Sequence, residues 1–283
     1  MDGLRFFGLR PTEDPSRWQL PVVPRLCSGM GALFGGAGLG ASVEALERVT
    51  GRPLVWATAQ YLSFARPPSV LDIEVVPVVE GHQVTQARAV TRRDGEEILT
   101  VNAALGRRTL DLEGTWAIRP DVPPPDDCPR RELFDRHRGS IMETLDSRLA
   151  SGRRPDELPG QRGDGRAALW VRIPDLEMSA AALAIVGDYV PFGIGQALGE
   201  RAGGGSLDNT LRVAHRHRPA PPAEEAVAEW ILADVRVHAV ADGFGHGLVH
   251  LWAEDGTLLA TASQSTMVRR WRDDVPGPRE EAT

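Results

Sequence analysis

Two rhythms alternate along the chain. Val43, Leu46 and Val49 recur at helical spacing and Gly51 follows as a stop, which predicts a helix over residues 36–50. The next apolar stretches, LVWATAQYLSF, LDIEVVPVV, HQVTQARAVTRR and EILTVNAALG, read as strands, with an Asp94-Gly95 turn between the last two. The order then repeats. SAAALAIVGDYVPFGIGQALGERAGGG predicts an apolar helix over residues 179–201 ended by glycines. SLDNTLRVAH, EWILADVRVHAV, GHGLVHLW and TLLATASQSTMVRRW follow as strands, and Asp255-Gly256 takes the place of Asp94-Gly95. RRDGEEILTVNAALGRR and AEDGTLLATASQSTMVRR both read as turn, strand and paired arginines. One helix followed by an antiparallel run of strands, twice over, predicts two copies of one α+β unit.

The stretch between the copies has another character. RPDVPPPDDCPRR at 119–131 carries a proline run that cannot pair in a central strand, and it reads as a linker. A short helix is predicted around residues 133–149. ASGRRPDELPGQRGDGR reads as a solvated, charged connector, and ALWVRIP as the opening strand of the second copy. The expected division is 1–118, a linker with a short helix at 119–165, and 166–283.

Composition removes several classes. All 32 basic residues are arginine, so a Walker A loop and a Schiff-base lysine are both excluded for want of an amine. Thirty-nine acidic residues leave a net charge of −7, which argues against a general nucleic-acid binder. An anionic ligand must then meet a local arginine cluster rather than a global field. Cys27 and Cys128 fit no zinc spacing and read as unpaired thiols, so no metal site is expected. No run of 18 apolar residues occurs and the N-terminus is too charged for a signal peptide, which predicts a cytoplasmic protein without a membrane span. No GxSxG elbow is present, which disfavours a serine α/β-hydrolase. GFGHG at 243–247 has no helix after it and reads as a hairpin connection rather than a dinucleotide fingerprint.

Six stretches carry a family resemblance: FGG at 34–36, LWVRIP at 169–174, LAIVGDYVPF around Asp188, SLDNTLR, EWILADVRVHAV and DGTLLATASQSTMVR. Together they resemble the acyl-CoA thioesterase II family. The resemblance implies a double hotdog, in which two antiparallel sheets each wrap a long helix within one chain. It implies a catalytic Asp at Asp208 and a catalytic Gln at Gln264. The family's catalytic Thr or Ser falls, by register from Trp230, on His238. Hydrolysis of fatty acyl-CoA to free acid and CoA is thereby implied, with CoA as part of the substrate and no other cofactor. A non-catalytic acyl-CoA or acyl-chain binder on the same scaffold is the alternative. A hotdog hydratase is disfavoured, because the residue five beyond Asp188 is Gly193 rather than His.

These residue types suit the chemistry. A carboxylate at Asp208 can accept a proton from water, and the Gln264 amide can donate and accept at once. Gly35 and Gly36 would let a carbonyl approach unpaired N–H groups at a helix start. Strand parity puts Gln264 on an apolar face with Leu258, Ala260, Ala262 and Val268, where its amide needs a partner. Asp208 shares its phase with Ser206, Thr210 and Arg212, which by itself reads as a solvated face. His238 could serve as a base near neutral pH. The HRHR cluster offers Arg216 and Arg218 to the phosphates of CoA. Exposed outer sheets could also pair two chains into a homo-oligomer.

Overall fold

The computed structural model describes residues 1–215 and 228–271. The first half holds α1 (Gly3–Phe7), β1 (Arg10–Pro11), β2 (Arg17–Val22), α2 (Gly35–Thr50), β3 (Leu54–Tyr61), β4 (Ser69–Glu80), β5 (Val84–Arg93) and β6 (Glu96–Gly106). The connecting segment contributes α3 (Ile141–Thr144) and β7 (Asp146–Ser151). The second half holds β8 (Arg166–Arg172), α4 (Ala180–Val186), α5 (Val190–Leu198), β9 (Ala202–Ser206), β10 (Asp208–Val213), β11 (Ile231–Ala241), β12 (Phe244–Ala253) and β13 (Leu258–Arg270).

Within each half the strands pair in corresponding order: β3-β6-β5-β4-β2 in the first and β10-β13-β12-β11-β8 in the second. All pairings are antiparallel, and the two half-sheets join edge to edge at β3 and β10. Asp208 there pairs with Gln60 and Thr210 with Thr58, whose hydroxyls lie 2.7 Å apart. One sheet of 13 strands thus runs through both hotdog units, and the join removes the edge that each half would otherwise expose.

The two helical segments lie back to back under this sheet. A Cβ built on Gly36 would come within 2.8 Å of the Ala184 carbonyl oxygen, and one on Gly40 within 2.9 Å of that of Ala181. Glycines one turn apart therefore let the α2 backbone lie directly on α4, a closeness any side chain would forbid. The second helix is not the continuous 179–201 element that its apolar pattern predicts. It breaks at residues 187–189 and ends at Leu198, because Pro191 has no N–H to return to the turn before it. Gly199 caps it at φ 65°. Gly203, Gly204 and Gly205, read from sequence as a helix terminator, form β9 instead and pair with β13. Ala180–Leu198, among the described residues, is long and apolar enough by composition to cross a membrane; here it is the mostly buried helix pair of the core.

Residues 151–166, read as a solvated and charged connector, are mostly exposed, while the helix predicted at 133–149 shrinks to the four residues of α3. Leu145 and Ser147 are buried, and β7 adds an edge strand beside β8. Further upstream the proline run covers the outer face of the second half-sheet. Trp170 donates its indole N–H to the Pro123 carbonyl at 2.8 Å, and Cys128, Trp170, Trp230, Leu232 and Trp252 form a small second core there.

Gly40→Val should drive β-branched bulk into the Ala181 carbonyl and the Phe7 ring, each 2.9 Å from the added Cβ. The expected loss is about 1–3 kcal/mol of unfolding free energy in a urea titration. Gly205→Ala, whose Cβ meets nothing closer than Met267 at 3.8 Å, should stay near the wild-type value.

Candidate active site

The break between α4 and α5 turns Asp188 toward the start of α2. Phe34, the residue before that helix, supplies no side-chain cap, so the first-turn N–H groups are left for other partners. The Gly36 N–H donates to Asp188 Oδ2 at 2.6 Å. A Cβ on Gly35 would sit 2.7 Å from that same oxygen, so the Gly-Gly pair is what lets the carboxylate reach the helix end.

Two further groups hold the other oxygen. Ser206 Oγ donates to Asp188 Oδ1 at 3.1 Å, and the Gln264 amide donates to that oxygen as well. Gln264 Nε2 also donates to Ser206 Oγ at 3.1 Å, while its Oε1 accepts from the Val190 N–H at the start of α5, also at 3.1 Å. Every hydrogen-bonding position of that amide used in the site therefore has a defined direction, set by the N–H at one end and the carboxylate at the other. Asp188 is 5% exposed, and burial outweighs the three donors, lifting its pKa from 3.8 to about 6. Tyr61 adds a fourth group. Its hydroxyl is buried near Asn209 without a well-aligned hydrogen bond, and burial, followed by Asp188 and Asp208, pushes its pKa well above the ordinary range.

Of the residues proposed from sequence, the structure brings Gln264, Gly35 and Gly36 to this site and leaves two others away from it. Asp208 lies on the outer face of the sheet and accepts the Ser265 N–H at 2.8 Å. A bulge separates it from Ser206: Thr210 pairs with Ser263, yet Ser206 pairs with Thr266, one residue short of a continuous register. That slip carries Ser206 to the inner face while Asp208 stays outside. His238 is the extra residue of another bulge, between Val237 and Ala239 on β11, and is exposed. With β12 between β11 and β13, His238 is about two strand spacings, roughly 9–10 Å, from the strand of Gln264. The expected convergence of Asp208, His238 and Gln264 is thus replaced by Asp188, Ser206 and Gln264. Arg216 and Arg218 lie outside the described residues. Ser206 and Tyr61 were not singled out from the sequence as site residues; Asp188 was marked there by the resemblance of LAIVGDYVPF and as an acid in an otherwise apolar helix, without a catalytic role.

Asp188, Ser206, Tyr61 and Gly35 line a cavity of about 220 Å³. Apolar side chains, among them Phe34, Phe64, Met142 and Phe192, form much of its wall, and the connector contributes Arg130, Arg131, Arg136, Arg153 and Arg154. Among the described residues, no group of three His, Cys, Asp or Glu side chains is placed to hold a metal ion. The arrangement can hold a water against a carboxylate poised to take a proton, beside helix N–H groups and a phenol that can meet a developing negative oxygen.

Residues 125–268 match the family model described as the acyl-CoA thioesterase C-terminal domain. The match begins inside the segment read as a linker, in keeping with the part that segment plays in the second half. No curated protein matches. Among solved structures, a protein of Novosphingobium aromaticivorans DSM 12444, assigned as a thioesterase, is 33% identical, with a TM-score of 0.78 over 92% of this chain and 97% of its own. A hot dog fold protein of unknown function from Alicyclobacillus acidocaldarius is 24% identical, with a TM-score of 0.78 over 93% of this chain and 97% of its own. An acyl-CoA thioesterase II from Mycobacterium marinum is 21% identical, with a TM-score of 0.72 over 95% of this chain and 98% of its own; these two establish likeness of fold. By the family model and the Novosphingobium relative together, the chain belongs to the acyl-CoA thioesterase family, double-hotdog hydrolases of thioesters.

Proposed function

We propose that the protein hydrolyses acyl thioesters of coenzyme A, with Asp188 as the base that draws a proton from the attacking water. The observation that carries this reading is a buried carboxylate with a pKa of about 6, held by a hydroxyl and a carboxamide on the wall of a largely apolar cavity. Ionised, Asp188 has lone pairs beyond those its three donors use and can accept from a water as well. The water oxygen bonds to the thioester carbonyl carbon as its proton passes to Asp188. Negative charge grows on the carbonyl oxygen, where Tyr61 and the remaining first-turn N–H groups of α2 supply donors. Collapse breaks the C–S bond, and the thiolate leaves as CoA thiol with the proton that Asp188 holds. Ser206 and Gln264 act as positioning residues, fixing the carboxylate and the site for water. The apolar wall suits the acyl chain, and the arginines of the connector suit the anionic half of the substrate.

Asp188→Asn should lower kcat about 10²–10⁴-fold with little change in KM, the usual worth of general-base help. Asp208→Asn, on the outer face, should leave kcat close to wild type. Steady-state hydrolysis of a panel of acyl-CoA thioesters measures both. Undiminished turnover in Asp188→Asn would remove Asp188 from the chemistry, and a wild-type protein that binds the panel without turnover would favour the acyl-binding alternative.

Two pH effects follow from the same carboxylate. The base must be ionised, so kcat/KM should rise with pH about a midpoint near the Asp188 value of about 6. Stability moves the other way. The folded state holds the Asp188 proton more tightly than the unfolded chain, where the value is 3.8, so this contribution is largest below about pH 4 and fades as pH passes about 6. A displacement of that size is worth on the order of 3 kcal/mol. Urea titrations of wild type and Asp188→Asn at pH 4 and pH 7 should show the difference in stability shifting against wild type by about that amount at the higher pH.

A further inference from the structure

Three buried polar atoms without hydrogen-bond partners belong to residues lining one cavity: Tyr61 Oη, Arg131 Nη1 and His137 Nδ1. Tyr61 is accounted for by the thioester carbonyl. The other two come from the connector and take no part in the making or breaking of bonds described above.

Arg131 is held firmly. Its backbone N–H donates to the Ser147 carbonyl at 2.8 Å, which ties it to β7. Its guanidinium lies over the Phe192 ring at 4.6 Å and the Tyr189 ring at 5.6 Å. These rings come from the start of α5 and the residue after Asp188, so the guanidinium sits along the same wall as the site. Stacking covers the face of the guanidinium and the Tyr189 hydroxyl meets part of its edge, which leaves Nη1 for a ligand. Among the described residues no carboxylate pairs with Arg131, and Glu200, another acid of the cavity wall, is engaged by Arg270 at 2.9 Å. His137 is kept neutral, its pKa lowered to about 4 by burial and by Arg131 and Arg136. Positive charge on this wall is therefore in excess, and an unmet guanidinium N–H in a buried place is costly unless an acceptor arrives.

We propose that Arg131, with His137 beside it, is a receptor for an anionic oxygen group of the substrate. This deepens the thioester reading and rests on it for the identity of the ligand. The planar fork of an arginine matches the paired oxygens of a phosphate or a carboxylate. The substrate can present such a group from either side of the thioester: a phosphate of CoA, or a carboxylate at the far end of the acyl group.

Binding to unreactive thioethers tests the receptor without requiring catalysis, so a protein that hydrolyses nothing can still pass or fail. Titration calorimetry on the full chain would use S-octyl-CoA, S-(7-carboxyheptyl)-CoA and S-octyl-pantetheine, which carries no phosphate. For a phosphate receptor, Arg131→Met should weaken both CoA thioethers at least tenfold and leave S-octyl-pantetheine unchanged. For a carboxylate receptor, the variant should lose at least tenfold on S-(7-carboxyheptyl)-CoA alone. Equal loss on all three, no loss on any, or no binding by wild type would overturn the proposal. Arg131→Gln, which keeps a polar side chain, is read in the same way should the Met variant not fold.

Discussion

Everything at the site depends on one hydrogen bond between residues 152 positions apart, from the Gly36 N–H to the Asp188 carboxylate. It joins the start of a helix in one half to the break of a helix in the other. The bond can form only because Gly36 and Gly40 let the α2 and α4 backbones touch, and because Pro191 interrupts the second helix where the carboxylate must turn out. The partial positive charge of a helix start favours the ionised acid, while burial disfavours it. Burial wins, and the result is an acid that changes state near neutral pH rather than one locked as a carboxylate.

Much of the architecture could be read from sequence because it is periodic. The α2 pattern, the strand alternation and the repeated DG turns each report a local rule, and the parity of Ala260, Ala262 and Gln264 placed that amide on the buried face, although a bulge at Leu259 sends Leu258 to the second core beside Trp252. The site was harder to read because it is made of exceptions to those rules. Ser206 and Asp208, two apart, should share a face, and a single-residue bulge sends them to opposite ones. His238 is itself a bulged residue, so counting from Trp230 cannot say where it points. Even the turns hide a difference: Asp94 and Gly95 both take positive φ, as do Asp242 and Gly243, whereas the repeat partner Asp255-Gly256 does so only at Gly256.

The connector misled for another reason. Its proline run at 119–131 reads as a linker, yet prolines without N–H groups lie comfortably on an outer sheet face, where Pro123 offers only its carbonyl to Trp170. Its arginines lie on aromatic rings: Arg119 on Trp170 at 5.5 Å, Arg131 on Phe192 and Arg136 on Trp271, both at 4.6 Å. Composition alone does not distinguish an arginine in water from one stacked on a ring.

The seam between β3 and β10 also sets corresponding positions of the two halves side by side. Thr58 faces Thr210 across it, and each is flanked on its other side by a matching position, Asn102 on β6 and Ser263 on β13. The next residue along is Gln264 in the second half and Ala103 in the first. The first half has an unbroken α2 where the second has the gap that frees Asp188. On the proposed reading, one half presents a helix start and the other carries the acid, the hydroxyl and the amide of a composite centre.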